Sequence, residues 1–365
     1  MSKKIIISGG GTGGHIFPAV SIANEIKKRE PDADILFVGA DGGMELSVVP
    51  RYNYPIKSVW ISGIHRQITV QNIIRNLLFP IKYITSQFQA RKIVSQFKPE
   101  AVVGVGGFAS FPIGSVAAGR GVPLFICEQN AFPGLVNRRL APKAKKILLG
   151  NEDAQKYFPK EKSVITGNPI RSFDLPSREA AAQTMGVSAG KKTILSLGGS
   201  LGALKINQAI QAHLQEIIDA DVQLIWQCGK RYYDALAPQV PENPNVKLLP
   251  FIEDMASAYS VADLIISRAG GSTISELIAL SKPAILVPSP NVSEDHQTKN
   301  ALSLSEKDAA ILVKDVEAVE TLVPKTLEVL KDEAQLALLQ KGIEEMEKHN
   351  AAEEIVDEIF NAVYA

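Results

Sequence analysis

The chain has 365 residues, 39 Lys+Arg against 39 Asp+Glu, and 45% hydrophobic residues. That length exceeds one ordinary core and implies two domains of a soluble globular protein. Two thiols, Cys127 and Cys228, exclude a disulfide scaffold, and no apolar run is long enough to span a bilayer. The opening Met-Ser-Lys-Lys and three Ile are cut short by glycine too early for a signal peptide, so a cytoplasmic location is expected. The five His residues lie far apart and none has a zinc spacing, so no metal is expected. The zero net charge hides an asymmetry. Residues 1–150 hold 19 Lys+Arg and 8 Asp+Glu, a balance of +11, and the remainder balances at −11. A basic first half suits an anionic partner: a membrane surface, a nucleic acid or a phosphorylated ligand.

The chain opens on Ile5–Gly14, three β-branched residues followed by five glycines in six positions. This reads as a buried strand, a tight turn and the start of a helix, an arrangement whose N–H groups and helix dipole attract anions. Gly9, Gly11 and Gly14 satisfy G-x-G-x-x-G, a weak signal by itself. Strands are expected at 4–8, 35–38, 101–105, 123–127 and 146–149, alternating with helices, which means a parallel sheet covered on both faces. Asp32-Ala-Asp34 resembles a metal-holding D-x-D but precedes its strand, at the wrong edge for a ligand, and reads as a solvated turn. Gly106-Gly107-Phe108 and Glu128-Gln129-Asn130 each follow a strand and should open onto the same crevice as the first turn.

Val70, Ile73, Ile74, Leu77 and Leu78 keep helical spacing up to a break at Phe79-Pro80, and Ile81, Ile84 and Phe88 continue beyond it. Arg75, Lys82, Arg91 and Lys92 are the charges of this stretch, and no acid occurs between Glu45 and Glu100. Ile73, Ile74, Leu77, Leu78, Phe79, Arg75 and Lys82 therefore form a candidate membrane patch, with a core-facing helix bearing a solvated basic face as the alternative.

At Thr193 the opening theme recurs as strand, glycine turn and helix, and Gly9 and Gly198 lie 189 positions apart. Two similar α/β domains are expected. Further strands are expected at 222–227, 246–250, 264–267 and 284–287. Arg268–Glu276 is another strand-to-helix turn. Thr273 and Glu276 have capping-box spacing, so Glu276 is either a helix cap or an acceptor for two sugar hydroxyls. Ile355, Val356, Ile359, Phe360 and Val363 share one stripe of a final helix, which should cross back to the basic first domain.

Gly-Gly-Thr-Gly-Gly-His15, Gly-Val-Gly-Gly-Phe, Glu128-Gln-Asn130, Gly167-Asn-Pro-Ile-Arg171, Gly198-Gly-Ser200, Phe251-Ile252 and Gly271-Ser-Thr-Ile-Ser-Glu276 occur together and in order. The set resembles the lipid-linked N-acetylglucosaminyltransferases of peptidoglycan synthesis in glycosyltransferase family 28, over essentially the whole chain. The resemblance implies a GT-B fold, two Rossmann-like α/β domains facing across a cleft: residues 1–168, with helix 346–365 packing back on them, and residues 169–345. It implies inverting transfer of GlcNAc from UDP-GlcNAc to the O4 of MurNAc in undecaprenyl-pyrophosphoryl-MurNAc-pentapeptide, at the cytoplasmic face of the inner membrane. The implied partners are these two substrates, an anionic membrane surface and other cell-wall proteins, with no nucleic acid and no required cofactor.

By the same resemblance Ile252 reads uracil through its backbone. Gly271, Ser272, Thr273, Ile274 and Ser275 hold the diphosphate, Glu276 holds the ribose, Arg171 and Ser200 contact phosphates, and Gln297 contacts the sugar. Thr12, Gly13, Gly14 and Asn130 border the transferred sugar, and Gly11, Gly106 and Gly107 are candidates for the acceptor pyrophosphate. Leu201 and Cys127 depart from the family's usual Gln and His or Gln. The acceptor hydroxyl needs a base, for which His15 is the first candidate, because a helix N-terminus favours neutral imidazole, and Glu128 the second. The rivals are a UDP-GlcNAc epimerase or glycolipid glycosyltransferase of the same frame, a non-catalytic membrane-surface binder, and a dehydrogenase with Asp41 as its ribose acid.

Overall fold

The computed structural model describes residues 3–63, 77–170, 173–199, 202–292 and 295–364. The chain divides into two compact units, residues 1–171 with 349–365, and residues 172–348. In the first unit β1 (Lys4–Ser8), β2 (Asp34–Ala40), β3 (Ile56–Val59), β4 (Ala101–Gly104), β5 (Leu124–Glu128), β6 (Lys146–Leu149) and β7 (Ser163–Ile165) form one parallel sheet. Its order is β3-β2-β1-β4-β5-β6-β7. The Ile run of β1 is explained by burial on both faces. Ile5 and Ile7 pack with Ile22 and Ile26, and Ile6 packs on the opposite side with Ile93 and Ile113. The order reverses beside β1, so a crevice is expected at its carboxyl end, between β1 and β4.

The edge strands β3 and β7 were not among the expected strands. Each is short and half-buried, and so lacks the apolar run that marks the central ones. Residues 64–76 are outside the described set, and with them Ile73, Ile74 and Arg75. The helix Phe79–Phe97 starts where a kink was expected, with Pro80 in its first turn. Asp34 lies 3.9 Å from Lys4 at the amino edge of the sheet, away from the crevice.

In the second unit β8 (Thr193–Leu197), β9 (Gln223–Gln227), β10 (Val246–Leu249), β11 (Leu264–Ser267), β12 (Ala284–Leu286) and β13 (Ala310–Leu312) form a parallel sheet of order β10-β9-β8-β11-β12-β13. Trp226 is fully buried, and its indole N–H donates to Asn207 Oδ1 at 2.9 Å. β13 is a further edge strand absent from the sequence expectation.

The last helix, Ala351–Tyr364, packs on helix Gly13–Arg29 of the first unit. It begins at Ala351, not at 346, since residues 345–350 form the connection after helix Glu333–Glu344. Ile355, Val356 and Ile359 enter the same core as Ile5 and Ile7. Glu353 and Asp357 pair with Lys28 and Arg29, Glu358 lies 3.2 Å from Lys146, and Tyr364 donates to Glu100 at 2.9 Å. Exposed pairs of this kind contribute little, so the apolar stripe holds the helix. Ile359→Ala should therefore destabilise the protein by about 2–5 kcal/mol. A urea titration that shows no drop in midpoint would refute that account.

Candidate active site

The carboxyl end of β1 runs into the glycine turn, and helix Gly13–Arg29 opens after Thr12, which makes no side-chain cap. A helix end without a cap leaves N–H groups to a ligand. The second turn packs directly on the first. Gly107, at φ +83°, brings its backbone so close that a Cβ would stand 2.4 Å from Gly10 O. A Cβ on Gly106 would stand 2.7 Å from Cδ2 and Nε2 of His15. Gly106 is thus the platform for the His15 ring. Ser110 Oγ ties the turns together, 2.6 Å from Ser8 O and 2.9 Å from Gly106 O. His15 Nδ1 lies 3.1 Å from Gly10 O and 3.4 Å from Thr12 Oγ1.

Gly11 departs from expectation as a pyrophosphate ligand, because its N–H donates to Glu45 Oε2 at 2.9 Å. That donor is already spent on a carboxylate. Glu45 is buried, and its other oxygen accepts from Ala40 N at 2.8 Å. Sequence reasoning passed over Glu45, since nothing near it in the chain marks it as polar core.

Glu128 also departs from expectation. Its carboxylate is buried and accepts four hydrogen bonds: from Asn130 N and Nδ2 at 3.1 Å each, Gly134 N at 3.0 Å and Asn137 Nδ2 at 2.8 Å. A carboxylate with four donors on its two oxygens has its lone pairs already engaged, and it shapes the loop from Asn130 to Asn137. Asn130 is oriented by it. Cys127 points into the apolar core, and burial, with the Glu128 charge second, pushes its thiol up to about 12. It stays protonated and makes no polar contact toward the crevice.

In the second unit the helix Gly271–Ala279 follows β11, with Gly270 at its N-cap and no side-chain cap. Glu276 is therefore the sixth residue of the helix, too far along to form a capping box with Thr273. Instead its Oε2 accepts from the buried Tyr259 hydroxyl at 2.7 Å, a partner that sequence alone did not reveal. Among the described residues Ser272 Oγ is buried without a partner, and Ser275 Oγ donates back to Gly271 O. Ile252 is buried in the core beside Met255 and Tyr259. Gln297 Oε1 accepts from Ser289 N at 2.8 Å, which sets the amide's orientation. Arg171, Ser200 and Leu201 lie outside the described residues.

Residues 5–149 match the glycosyltransferase family 28 N-terminal domain, and residues 193–358 match the family 28 C-terminal domain. The chain belongs to glycosyltransferase family 28. A UDP-N-acetylglucosamine--N-acetylmuramyl-(pentapeptide) pyrophosphoryl-undecaprenol N-acetylglucosamine transferase of Cytophaga hutchinsonii is 48% identical over 99% of this chain and 97% of its own length. A relative of the same name from Parabacteroides distasonis is 48% identical over 99% of this chain and 98% of its own length. The crystal structure of Acinetobacter baumannii MurG, at 30% identity, covers 98% of this chain and 99% of its own with a TM-score of 0.78. A Listeria monocytogenes structure described as a UDP-N-acetylglucosamine 2-epimerase has a TM-score of 0.66 at 14% identity, covering 99% of this chain and 96% of its own, and shares the fold. Family 28 membership displaces the dehydrogenase reading built on Asp41.

As the hub of its loop, Glu128 matters for stability. Glu128→Ala leaves buried donors unpaired and should cost about 3–5 kcal/mol, measured by thermal or urea unfolding. A variant as stable as the parent would remove the hub role.

Proposed function

We propose that this glycosyltransferase carries out its transfer with His15 as base in the first unit and the donor nucleotide on helix Gly271–Ala279 of the second. The enzyme moves GlcNAc from UDP-GlcNAc to the O4 of MurNAc in undecaprenyl-pyrophosphoryl-MurNAc-pentapeptide, with inversion, in peptidoglycan synthesis. His15 Nε2 takes the O4 proton. The oxygen attacks the anomeric carbon opposite the diphosphate, and the C1–O bond breaks with its electron pair leaving on UDP. The observation that carries this reading is the uncapped start of helix Gly271–Ala279 with the buried, unpartnered Ser272 hydroxyl, where charge on the leaving diphosphate can be met.

Gly271, Ser272, Thr273, Ile274 and Ser275 receive the diphosphate, with Arg171 and Ser200 as further phosphate contacts. Glu276, held by Tyr259, takes the ribose hydroxyls. Ile252 offers its backbone to uracil, and Gln297, its oxygen engaged by Ser289, presents its amide nitrogen to the sugar. Thr12, Gly13, Gly14 and Asn130 border the transferred sugar, and Gly106 and Gly107 line the acceptor side.

The test separates the roles. His15→Ala should lower kcat by about 10²–10⁴-fold with UDP-GlcNAc binding unchanged. Glu276→Ala should weaken UDP-GlcNAc by roughly tenfold or more while sparing the lipid acceptor. Equal losses for donor and acceptor in Glu276→Ala would end the ribose assignment, and an unchanged kcat in His15→Ala would end the base assignment.

The enzyme works at an anionic membrane surface on the cytoplasmic side. Supporting this, Leu77 just before helix Phe79–Phe97, and Ile81, Ile84 and Phe88 in its first half, are more than half exposed, while Ser86, Ala90, Ile93 and Val94 face the core. Lys82 and Arg91 flank the apolar residues, and Arg91 lies 5.5 Å from the Phe88 ring. No described helix is long and apolar enough to cross a membrane. Replacing Leu77 and Leu78 with Asp should weaken partitioning onto phosphatidylglycerol vesicles about tenfold or more, with turnover of a soluble acceptor analogue retained. Unchanged vesicle binding would place the membrane contact elsewhere.

A further inference from the structure

Glu45 has no place in the transfer as described so far, yet the glycine turn is built around it. The residue is 1% exposed. Cβ atoms on Gly10, Gly39 and Gly43 would stand 2.1, 2.4 and 2.3 Å from Glu45 side-chain atoms, so three glycines open the space that one carboxylate fills. Gly11 is glycine for another reason: a Cβ there meets nothing, but the residue sits at φ +86°. That conformation presents its N–H to Glu45 Oε2.

The two hydrogen bonds at this turn share one peptide group. The N–H of Gly11 donates to Glu45, and the carbonyl of Gly10, across the same peptide bond, faces His15 Nδ1 at 3.1 Å. A carbonyl can only accept, so Nδ1 carries the proton and the lone pair of the neutral ring sits on Nε2. A peptide whose N–H binds a carboxylate is polarised, and its oxygen becomes a stronger acceptor.

We infer that Glu45 is a positioning residue that acts on His15 through the Gly10–Gly11 peptide, holding the imidazole in the tautomer whose Nε2 accepts a proton. The carboxylate, the peptide and the imidazole form a relay in which no proton crosses the peptide: Glu45 fixes the peptide, and the peptide fixes the ring. The inference rests on His15 as the base, but its first test does not.

Selective ¹⁵N labelling of histidine, with the His15 signal assigned by its loss in His15→Ala, reads the tautomer directly. The expected spectrum has Nδ1 protonated and Nε2 bare in the resting enzyme, and the opposite tautomer overturns the inference. Glu45→Gln keeps the shape, but its amide can accept from only one of Gly11 N and Ala40 N. It should reduce the Nδ1-protonated population and lower kcat about tenfold with the UDP-GlcNAc KM unchanged. In the His15→Ala background the same substitution should lower kcat no further, whereas an undiminished additional loss would show that Glu45 serves the turn alone and would overturn the relay. If Glu45→Gln does not fold, Glu45→Asp, one methylene short of Gly11, carries the same expectations. An unchanged kcat in His15→Ala would remove the base role, and the tautomer and its dependence on residue 45 would still decide the positioning claim.

Discussion

The arrangement depends on a constraint of parallel sheets: every strand delivers its carboxyl end to the same edge. In each unit all described pairings are parallel, and the order reverses beside the first strand, β1 in one unit and β8 in the other. Loops that leave that edge are forced together, with helix starts behind them. Glycine turns and an uncapped helix start then gather at one place in each unit without any long-range design in the loops. What each unit does with its gathering point differs. The first uses it to seat an imidazole on bare backbone, and the second leaves a helix end and a serine hydroxyl unfilled.

The two glutamates of the first unit show how buried carboxylates build a site without reacting. Glu128 gathers four N–H donors and so fixes the loop that presents Asn130. Glu45 spends its oxygens on the N–H groups of Gly11 and Ala40. Each charge is tolerated because it is surrounded by backbone or amide donors. In the second unit Tyr259 holds a carboxylate in the same way, donating to Glu276 on helix Gly271–Ala279.

Much of this was legible in the chain. Ile5–Gly14 announces a strand, turn and helix because glycines cannot pack a core and the apolar run cannot stay in water. The recurrence at Thr193 announces the second unit for the same reason. What was not legible depends on contacts across the fold. Glu45 lies 34 positions from Gly11, and Glu128 resembles a base until its donors are counted. Of the two readings of Glu276, the cap fails although Thr273 has the right spacing, because the helix starts before Thr273. The edge strands β3, β7 and β13 escaped because half-buried segments of three or four residues carry too little pattern.

The return of the final helix to the first unit has a consequence for biosynthesis. Ile355, Val356 and Ile359 close the core that Ile5 and Ile7 begin, so residues far apart in the chain meet in one layer. On the ribosome helix Gly13–Arg29 emerges well before helix Ala351–Tyr364, which packs on it. The second unit, whose residues 172–348 are contiguous, has all its parts sooner. Translation order and completion order of the two units are therefore inverted: the unit begun before the other is completed after it.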